Sequence, residues 1–424
     1  MGPIRKIVLI NLNAYLGGGE TLMVRFAQYL MSRDLEFVCI CAEEGYAHRD
    51  LIRQGIDSDK IITVESSPNY YYLNDKDRES LINEIRINLT GDNLHFVTFC
   101  MRDMYTAYAL SLNYELIAIT HLVLHIQDDL YVGQTLWNKL NYYITKKRNF
   151  NNDKNISFNR NLLSLVSSKG GIICMADLIA NVWKRNFPIT IDPSHIVPLP
   201  SFKPPNAYRR LGGNTRKIIW IGRIVDFKIP AIESMINFLG DDQRYTLTII
   251  GNGDKEKILE AIKKNRIDES RVRFLGEVPY EHLESVIQQH SVGYAMGTSL
   301  VELAKFRIPV IVALASYTHN SYKRSICGGL FFNQPLGCDG SELAACNESD
   351  IKKTIHDAIE IIEQDWELAA DECYSYAKRF YSEEENFNKY VELISQTKNL
   401  DQLEKSKRIP QASIFRRFLF KLFG

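Results

Sequence analysis

In the second half of the chain four short apolar runs each end on a glycine and lead into helical spacing: KIIWIG at 217–222, TLTIIG at 246–251, RVRFLG at 271–276 and SVGYAMG at 291–297. A strand that stops at glycine and turns into an amphipathic helix puts its turn at the carboxyl end of a parallel sheet. Four in succession therefore predict an open α/β sheet with four turns on one edge. Backbone N–H groups and helix dipoles at such an edge favour an anion. Any one turn alone would be unremarkable surface; together they make a composite ligand cleft.

The last turn carries the most detail. Val292 and Tyr294 fit a short strand, and Gly297, Thr298 and Ser299 supply a turn and an N-cap. Leu300, Leu303 and Ala304 share a helical face, and Pro309 opens the next strand. Glu302, one turn into that helix, is either an acceptor for sugar hydroxyls or an exposed carboxylate favouring a helix N-terminus. After Gly222 come Arg223, Asp226 and Lys228, before the helix that Pro230 opens. The arginine and lysine suit a diphosphate, with charge-assisted hydrogen bonds of about 1.5 to 3 kcal/mol each; standing alone they would be a solvated surface pair. In the turn Gly251, Asn252 and Gly253 the glycines permit close backbone approach, and a planar base could lie against the backbone at Gly276, Glu277 and Val278.

The first half repeats the alternation. Lys6 to Leu12 is an apolar run expected as a buried parallel strand, followed by Gly17, Gly18 and Gly19 and a helix over Glu20 to Ser32 with Leu22, Met23, Phe26, Ala27, Leu30 and Met31 on one face. The glycines are expected in conformations closed to other residues. Without a GxGxxG the turn is a weak dinucleotide signal, and it reads either as an anion site or as a tight turn without a ligand. A later strand, Thr120 to Ile126, ends in HIQDD, which delivers His125, Asp128 and Asp129 to the ligand edge. His125 could orient or polarise a hydroxyl or be a hydrogen-bonded structural residue; His121 lies nearer the strand's start. The asparagine-rich stretch 146–161 reads as an exposed connection. Six of the 13 prolines fall between Pro188 and Pro205, which sets a domain boundary there.

Composition narrows the classes. Fifty-one basic against 51 acidic residues leave no global field for nucleic acid, so any anion site is local. The eight cysteines show no CxxC pair and read as reduced core residues, and no secretory segment or membrane-length apolar run is present, so a cytoplasmic chain is expected. The carboxyl end is distinct: in SIFRRFLFKLFG, Ile414, Phe415, Phe418, Leu419 and Leu422 can share a helical face beside Arg416, Arg417 and Lys421. Such a tail suits an anionic membrane surface, where a lipid-linked acceptor would be met, or docks on its own core or a second copy.

Taken in order, GGGE at 17–20, WIGR with Lys228 following, IIGNG at 249–253, VRFLGEV at 272–278 and GTSLVELAKFRIPVI at 297–311 resemble the family-four (group 1) sugar transferases of the GT-B fold. The resemblance spans nearly the whole chain. It implies two Rossmann-like domains facing each other across a cleft: an acceptor-side domain over 1–205, a nucleotide-sugar-binding domain over 206–382, a helix over 383–400 packing back on them, and the basic amphipathic tail at 401–424. It implies a retaining glycosyltransferase, hexosyltransferase-type, that moves a sugar from a nucleotide-diphosphate sugar to the hydroxyl of a carbohydrate or lipid-linked acceptor, in bacterial surface polysaccharide or glycoconjugate synthesis. Carried over, Arg223 and Lys228 bind the diphosphate and assist its departure, Glu302 meets the ribose, Gly18 and Gly19 border acceptor and phosphates, and His125 lies close to the transferred sugar. Gly222, Asn252, Gly253, Val278, Gly297, Thr298 and Ser299 complete the donor site. With two cations present and no Asp-x-Asp or histidine cluster of ligand spacing, neither metal nor cofactor is expected beyond the co-substrate. Oligomeric state is left open.

The sequence departs from that family at two places. Two glutamates normally stand with seven residues between them, and counting back from Glu302 puts Tyr294 in the first place; Arg307 stands where a glycine is frequent. Tyr294 keeps open a non-catalytic nucleotide-binding or partner protein of the same fold. An epimerase or phosphorylase on this fold is a further alternative, and a nicotinamide oxidoreductase fits least because its glycine fingerprint is missing.

Overall fold

The computed structural model describes residues 5–15, 17–65, 70–124, 154–186, 189–205, 215–316, 325–341, 353–400, 409 and 411. The chain forms two compact units, the first from residues 1–175, 179–197 and 387–424, the second from 176–178 and 198–386.

The first unit is built on a parallel sheet of six strands, β1 (Lys6–Asn11), β2 (Phe37–Ala42), β3 (Ile61–Val64), β4 (Asn93–Thr98), β5 (Leu116–Val123) and β6 (Ile172–Cys174), in the order β3-β2-β1-β4-β5-β6. Every residue of β2 is buried, as expected where helices cover both faces of a parallel sheet. The helices are α1 (Gly18–Ser32), α2 (Tyr46–Arg53), α3 (Asp75–Asn88), α4 (Met101–Ser111), α5 (Lys154–Ser168) and α6 (Asp177–Asn186). α1 buries Leu22, Met23, Phe26, Ala27 and Leu30 on the expected stripe, whereas Met31 is exposed. The expected loop over 146–161 is corrected over its described part: residues 154–161 begin α5, where Ile156, Phe158 and Asn159 are buried and Asn159 accepts a hydrogen bond from Tyr105 Oη. A polar composition concealed an apolar stripe at helical spacing, continued by Leu162, Leu163 and Val166.

The second unit is a parallel sheet of five strands, β7 (Lys217–Ile221), β8 (Thr246–Ile250), β9 (Val272–Gly276), β10 (Val292–Ala295) and β11 (Val310–Val312), in the order β11-β10-β7-β8-β9. Its helices are α7 (Ile229–Asp241), α8 (Lys255–Lys264), α9 (Tyr280–Ile287), α10 (Thr298–Ala304), α11 (Ile355–Gln364) and α12 (Trp366–Phe380). α11 starts in a reciprocal cap, Thr354 Oγ1 accepting from Asp357 N while the Asp357 carboxylate accepts from Thr354 N. The last helix, α13 (Glu383–Gln396), gives its residues from Phe387 onward to the first unit, where Phe387 stacks on Phe26 at 5.2 Å and Tyr390 meets Phe26 edge-on at 5.8 Å. Beyond it, Ile409 O and Gln411 Nε2 bond Arg78 Nη1 and Leu73 O at 3.1 and 2.8 Å. The amphipathic segment 412–424 lies outside the described residues. Among the described residues no helix is long and apolar enough to cross a membrane.

Arg307 shows why a glycine is expected before β11. Its φ is 52°, in the left-handed region. The conformation costs a non-glycine residue about 1 kcal/mol. Arg307 is held there by Asp371, with Nη1 2.9 Å from the carboxylate, and by the Tyr374 ring 4.3 Å beneath its guanidinium. Relief of strain and loss of these contacts oppose each other in Arg307→Gly, which should change stability by less than about 1 kcal/mol. Arg307→Ala loses the contacts and keeps the strain, and should cost about 1 to 2 kcal/mol in urea unfolding. Equal losses in the two variants would remove strain from the account.

Candidate functional site

The strand order of the second unit sets the ends of β10, β7, β8 and β9 side by side, so the turns at Gly297, Gly222, Gly251 and Gly276 form a row on one sheet edge. Three of them are knitted together by their backbones: Gly222 N donates to Ile250 O at 2.9 Å, Ile224 N to Asn252 O at 2.8 Å and Gly251 N to Gly276 O at 2.8 Å. A Cβ at Gly251 would lie 2.2 Å from Gly222 O, and one at Gly253 would lie 2.0 Å from Ile224 O. The close backbone approach expected of these glycines is made between turns of the chain itself. Their missing side chains let neighbouring turns close on one another. Asn252 and Gly253 are exposed, while Val278 is half-buried and packs against the core.

Two cations stand at the end of β7. Arg223 is exposed and Lys228 is half-buried, immediately before α7. Lys228 Nζ sits 3.1 Å from where a Cβ on Gly222 would be, so glycine there gives the ammonium its seat. Burial pushes the Lys228 pKa down, the Arg223 charge pushes it further, and the Asp339 carboxylate opposes them. Asp339 belongs to a loop that returns to the same row: its backbone oxygen accepts from Gly297 N at 2.9 Å.

Gly297 is the N-cap of α10 with φ 68°. Of the three residues expected to supply the turn and N-cap, Gly297 takes the cap position and no side chain caps the helix; Thr298 and Ser299 lie inside the first turn, one and two residues past it. Glu302 is not the exposed carboxylate of the simpler alternative. It is largely covered and ion-paired with Lys305 one turn later. Tyr294 lies within β10, fully buried, its ring 5.6 Å from that of Trp220 and its hydroxyl donating to Ala231 O at 3.0 Å. The position that would hold the family's first glutamate is here a core position.

In the first unit, Gly17 is the N-cap of α1 in extended conformation, and none of Gly17, Gly18 and Gly19 has positive φ, which corrects the conformational role expected of them. What they supply is space: a Cβ on Gly18 would meet nothing within 4 Å, and one on Gly19 would lie 3.3 Å from Asn11 Nδ2. Behind the turn, Glu20 is buried and accepts from Asn13 Nδ2 at 2.9 Å. Asp103, buried on α4, accepts from Leu12 N at 3.1 Å and from Cys100 Sγ at 3.1 Å. Burial pushes its carboxyl up to about 6, with the charge of Glu20 adding to the effect. His125, Asp128 and Asp129 lie outside the described residues. His121 is a structural residue of β5, buried with Nδ1 2.9 Å from Thr98 Oγ1.

Asp103 and Asp339 were missed from the sequence. Each had a local signal. Asp103 follows Cys100 at the three-residue spacing of a helix start, and Asp339-Gly340 is a turn dipeptide.

No known family model matches the chain, and no curated protein matches it in sequence. Solved structures do resemble it. Anabaena Alr3699/HepE in complex with UDP-glucose superposes with a TM-score of 0.58 at 15% identity, covering 92% of this chain and 99% of that one. A glycosyltransferase from Rickettsia africae gives 0.58 at 12% identity over 93% and 98% of the two chains. A point mutant of S. aureus TarM, in complex with fondaparinux, α-GlcNAc-glycerol and UDP, gives 0.56 at 12% identity over 92% and 99%. The likeness is one of fold, and the fold is GT-B: two Rossmann-like α/β units in one chain.

The net downward displacement of the Lys228 pKa means that the folded state disfavours its charge, so stability is gained only as pH rises through that lowered value. At neutral pH, Lys228→Met should therefore raise the melting midpoint while weakening UDP binding about 10- to 100-fold in calorimetry. A variant that binds UDP as the parent does would remove Lys228 from the site.

For Asp103 the sign is the opposite of a salt-bridged carboxylate. Its proton is held more tightly in the folded chain, so stability is present below 3.8 and is lost as pH rises through about 6. Asp103→Asn should match the parent near pH 3.5 and exceed it by on the order of 3 kcal/mol above pH 7. A gap that does not change with pH would contradict the assignment.

Proposed function

We propose that the chain is a glycosyltransferase that moves a sugar from a nucleotide-diphosphate sugar to an acceptor hydroxyl. The observation that carries this reading is the pair Arg223 and Lys228 at the end of β7, the lysine seated against Gly222 in a row of interlocked turns. As the bond between the anomeric carbon and the diphosphate oxygen breaks, negative charge grows on the leaving group. Arg223 and Lys228 stabilise it there, and a half-buried ammonium interacts more strongly than a solvated one. Two cations do the work a divalent ion does elsewhere, so the reaction is read as metal-independent and without a further cofactor. Glu302 is assigned to the nucleotide ribose, and the Gly18–Gly19 end of α1 and His125 to the acceptor and the transferred sugar.

The finer parts of the reading rest on the sequence resemblance: a hexosyl donor, retention at the anomeric carbon, a role in bacterial polysaccharide or glycoconjugate synthesis, and cytoplasmic placement with the basic tail on an anionic membrane. UDP-sugars are the first donors to try, because two of the similar structures carry UDP-glucose and UDP.

Tyr294 in the core favours one competitor, a nucleotide-binding protein of this fold without turnover. The two separate on release of UDP from UDP-glucose or UDP-N-acetylglucosamine, measured with and without a panel of sugar and lipid-linked acceptors. Acceptor-dependent release that Arg223→Ala lowers at least tenfold is expected; tight UDP binding with no release under any acceptor would establish the competitor instead.

A further inference from the structure

Position 294 faces the core, so no carboxylate reaches the Gly297 turn from β10. One arrives from elsewhere in the chain. We propose that Asp339 is the specificity residue of the donor site, its carboxylate accepting hydrogen bonds from hydroxyls of the transferred sugar. The proposal rests on the glycosyltransferase reading above.

Asp339 is fixed to this place by three independent contacts. Its backbone oxygen takes the N–H of Gly297 at 2.9 Å. Its Oδ1 accepts from Ser341 N at 3.1 Å and from Ser341 Oγ at 2.6 Å, which locks the side chain. The next residue, Gly340, has φ 95°, and a Cβ on it would lie 2.1 Å from Ala313 O, so the loop is seated directly on the chain leaving β11. With Oδ1 so engaged, Oδ2 comes to 3.8 Å from the position a Cβ on Gly297 would occupy. The carboxylate therefore borders the glycine turn, half-buried, and its charge reaches the Lys228 ammonium.

Charge decides which part of a nucleotide sugar meets it. A fixed carboxylate repels a diphosphate, so the part of a nucleotide sugar that it can bind directly is not the phosphate. The sugar is neutral, carries several O–H donors and is attached to the phosphate that Lys228 would hold. A carboxylate locked in place is the strongest uncharged-ligand acceptor available at that position. Because its geometry is preset by Ser341 and Gly340, sugar binding costs little reorganisation, and hydroxyl configuration would be read directly.

The test compares UDP, UDP-glucose and UDP-N-acetylglucosamine in calorimetry with the full chain and with Asp339→Asn, which keeps an Oδ1 acceptor for Ser341, and with Asp339→Ala. The expected result is that the UDP-sugar bound best by the parent is weakened about tenfold or more in both variants, while UDP binds as tightly as before or tighter. Parallel weakening of UDP and UDP-sugar would overturn the proposal in favour of a residue that merely holds the loop or Lys228, and unchanged binding of all three would overturn it outright. A parent chain that binds neither UDP nor either UDP-sugar would overturn the donor site itself, and the role of Asp339 with it.

Discussion

The second unit depends on backbone meeting backbone. Gly251 against Gly222 O and Gly253 against Ile224 O bring successive strand-end turns to distances that no side chain would tolerate, and hydrogen bonds at 2.8 to 2.9 Å then join them. The result is three turns locked into one row, with the Gly297 turn beside it at the end of the neighbouring strand. Everything of functional interest in that unit is mounted on it: Arg223 and Lys228 follow Gly222, α10 starts at Gly297, and the Asp339 loop hangs from the Gly297 N–H. Its rigidity comes from polypeptide geometry, which makes it tolerant of side-chain change elsewhere and intolerant at the glycines.

The alternation of strand and helix, and the row of glycine turns, were legible because buried parallel strands leave apolar runs that are hard to mistake. What glycine does was not legible. Gly18 and Gly251 look alike in sequence, yet one opens onto empty space and the other is clamped against a carbonyl. The helix over 154–168 was hidden because asparagines and serines dominate its polar residues, and only Ile156, Phe158 and Leu162 to Val166 report the packing. Asp339 could not be assigned from spacing at all, since its relation to Gly297 exists only through the fold.

The two departures from the resembled motif have opposite meanings. Arg307 keeps the backbone shape that glycine would supply and holds it with Asp371 and Tyr374, so the substitution is local and compensated. Tyr294 changes what the position is. Its ring packs against Trp220 and its hydroxyl satisfies a carbonyl of α7, so the strand continues through a place where a carboxylate would otherwise emerge. A charged residue there would be buried without a partner.

Apart from residues 176–178, the second unit is one stretch of chain from Pro198 to Asn386, after which Phe387 returns to the first, so the second unit is largely an insertion in the sequence of the first. During synthesis the second unit has all of its strands and α7 to α12 in hand while Phe26 still waits for Phe387 and Tyr390 to emerge. A polypeptide cut after Pro205 would leave that aromatic surface bare, however complete its six-stranded sheet, and such surfaces draw chains into aggregates. The unit that begins the chain is the last to be finished.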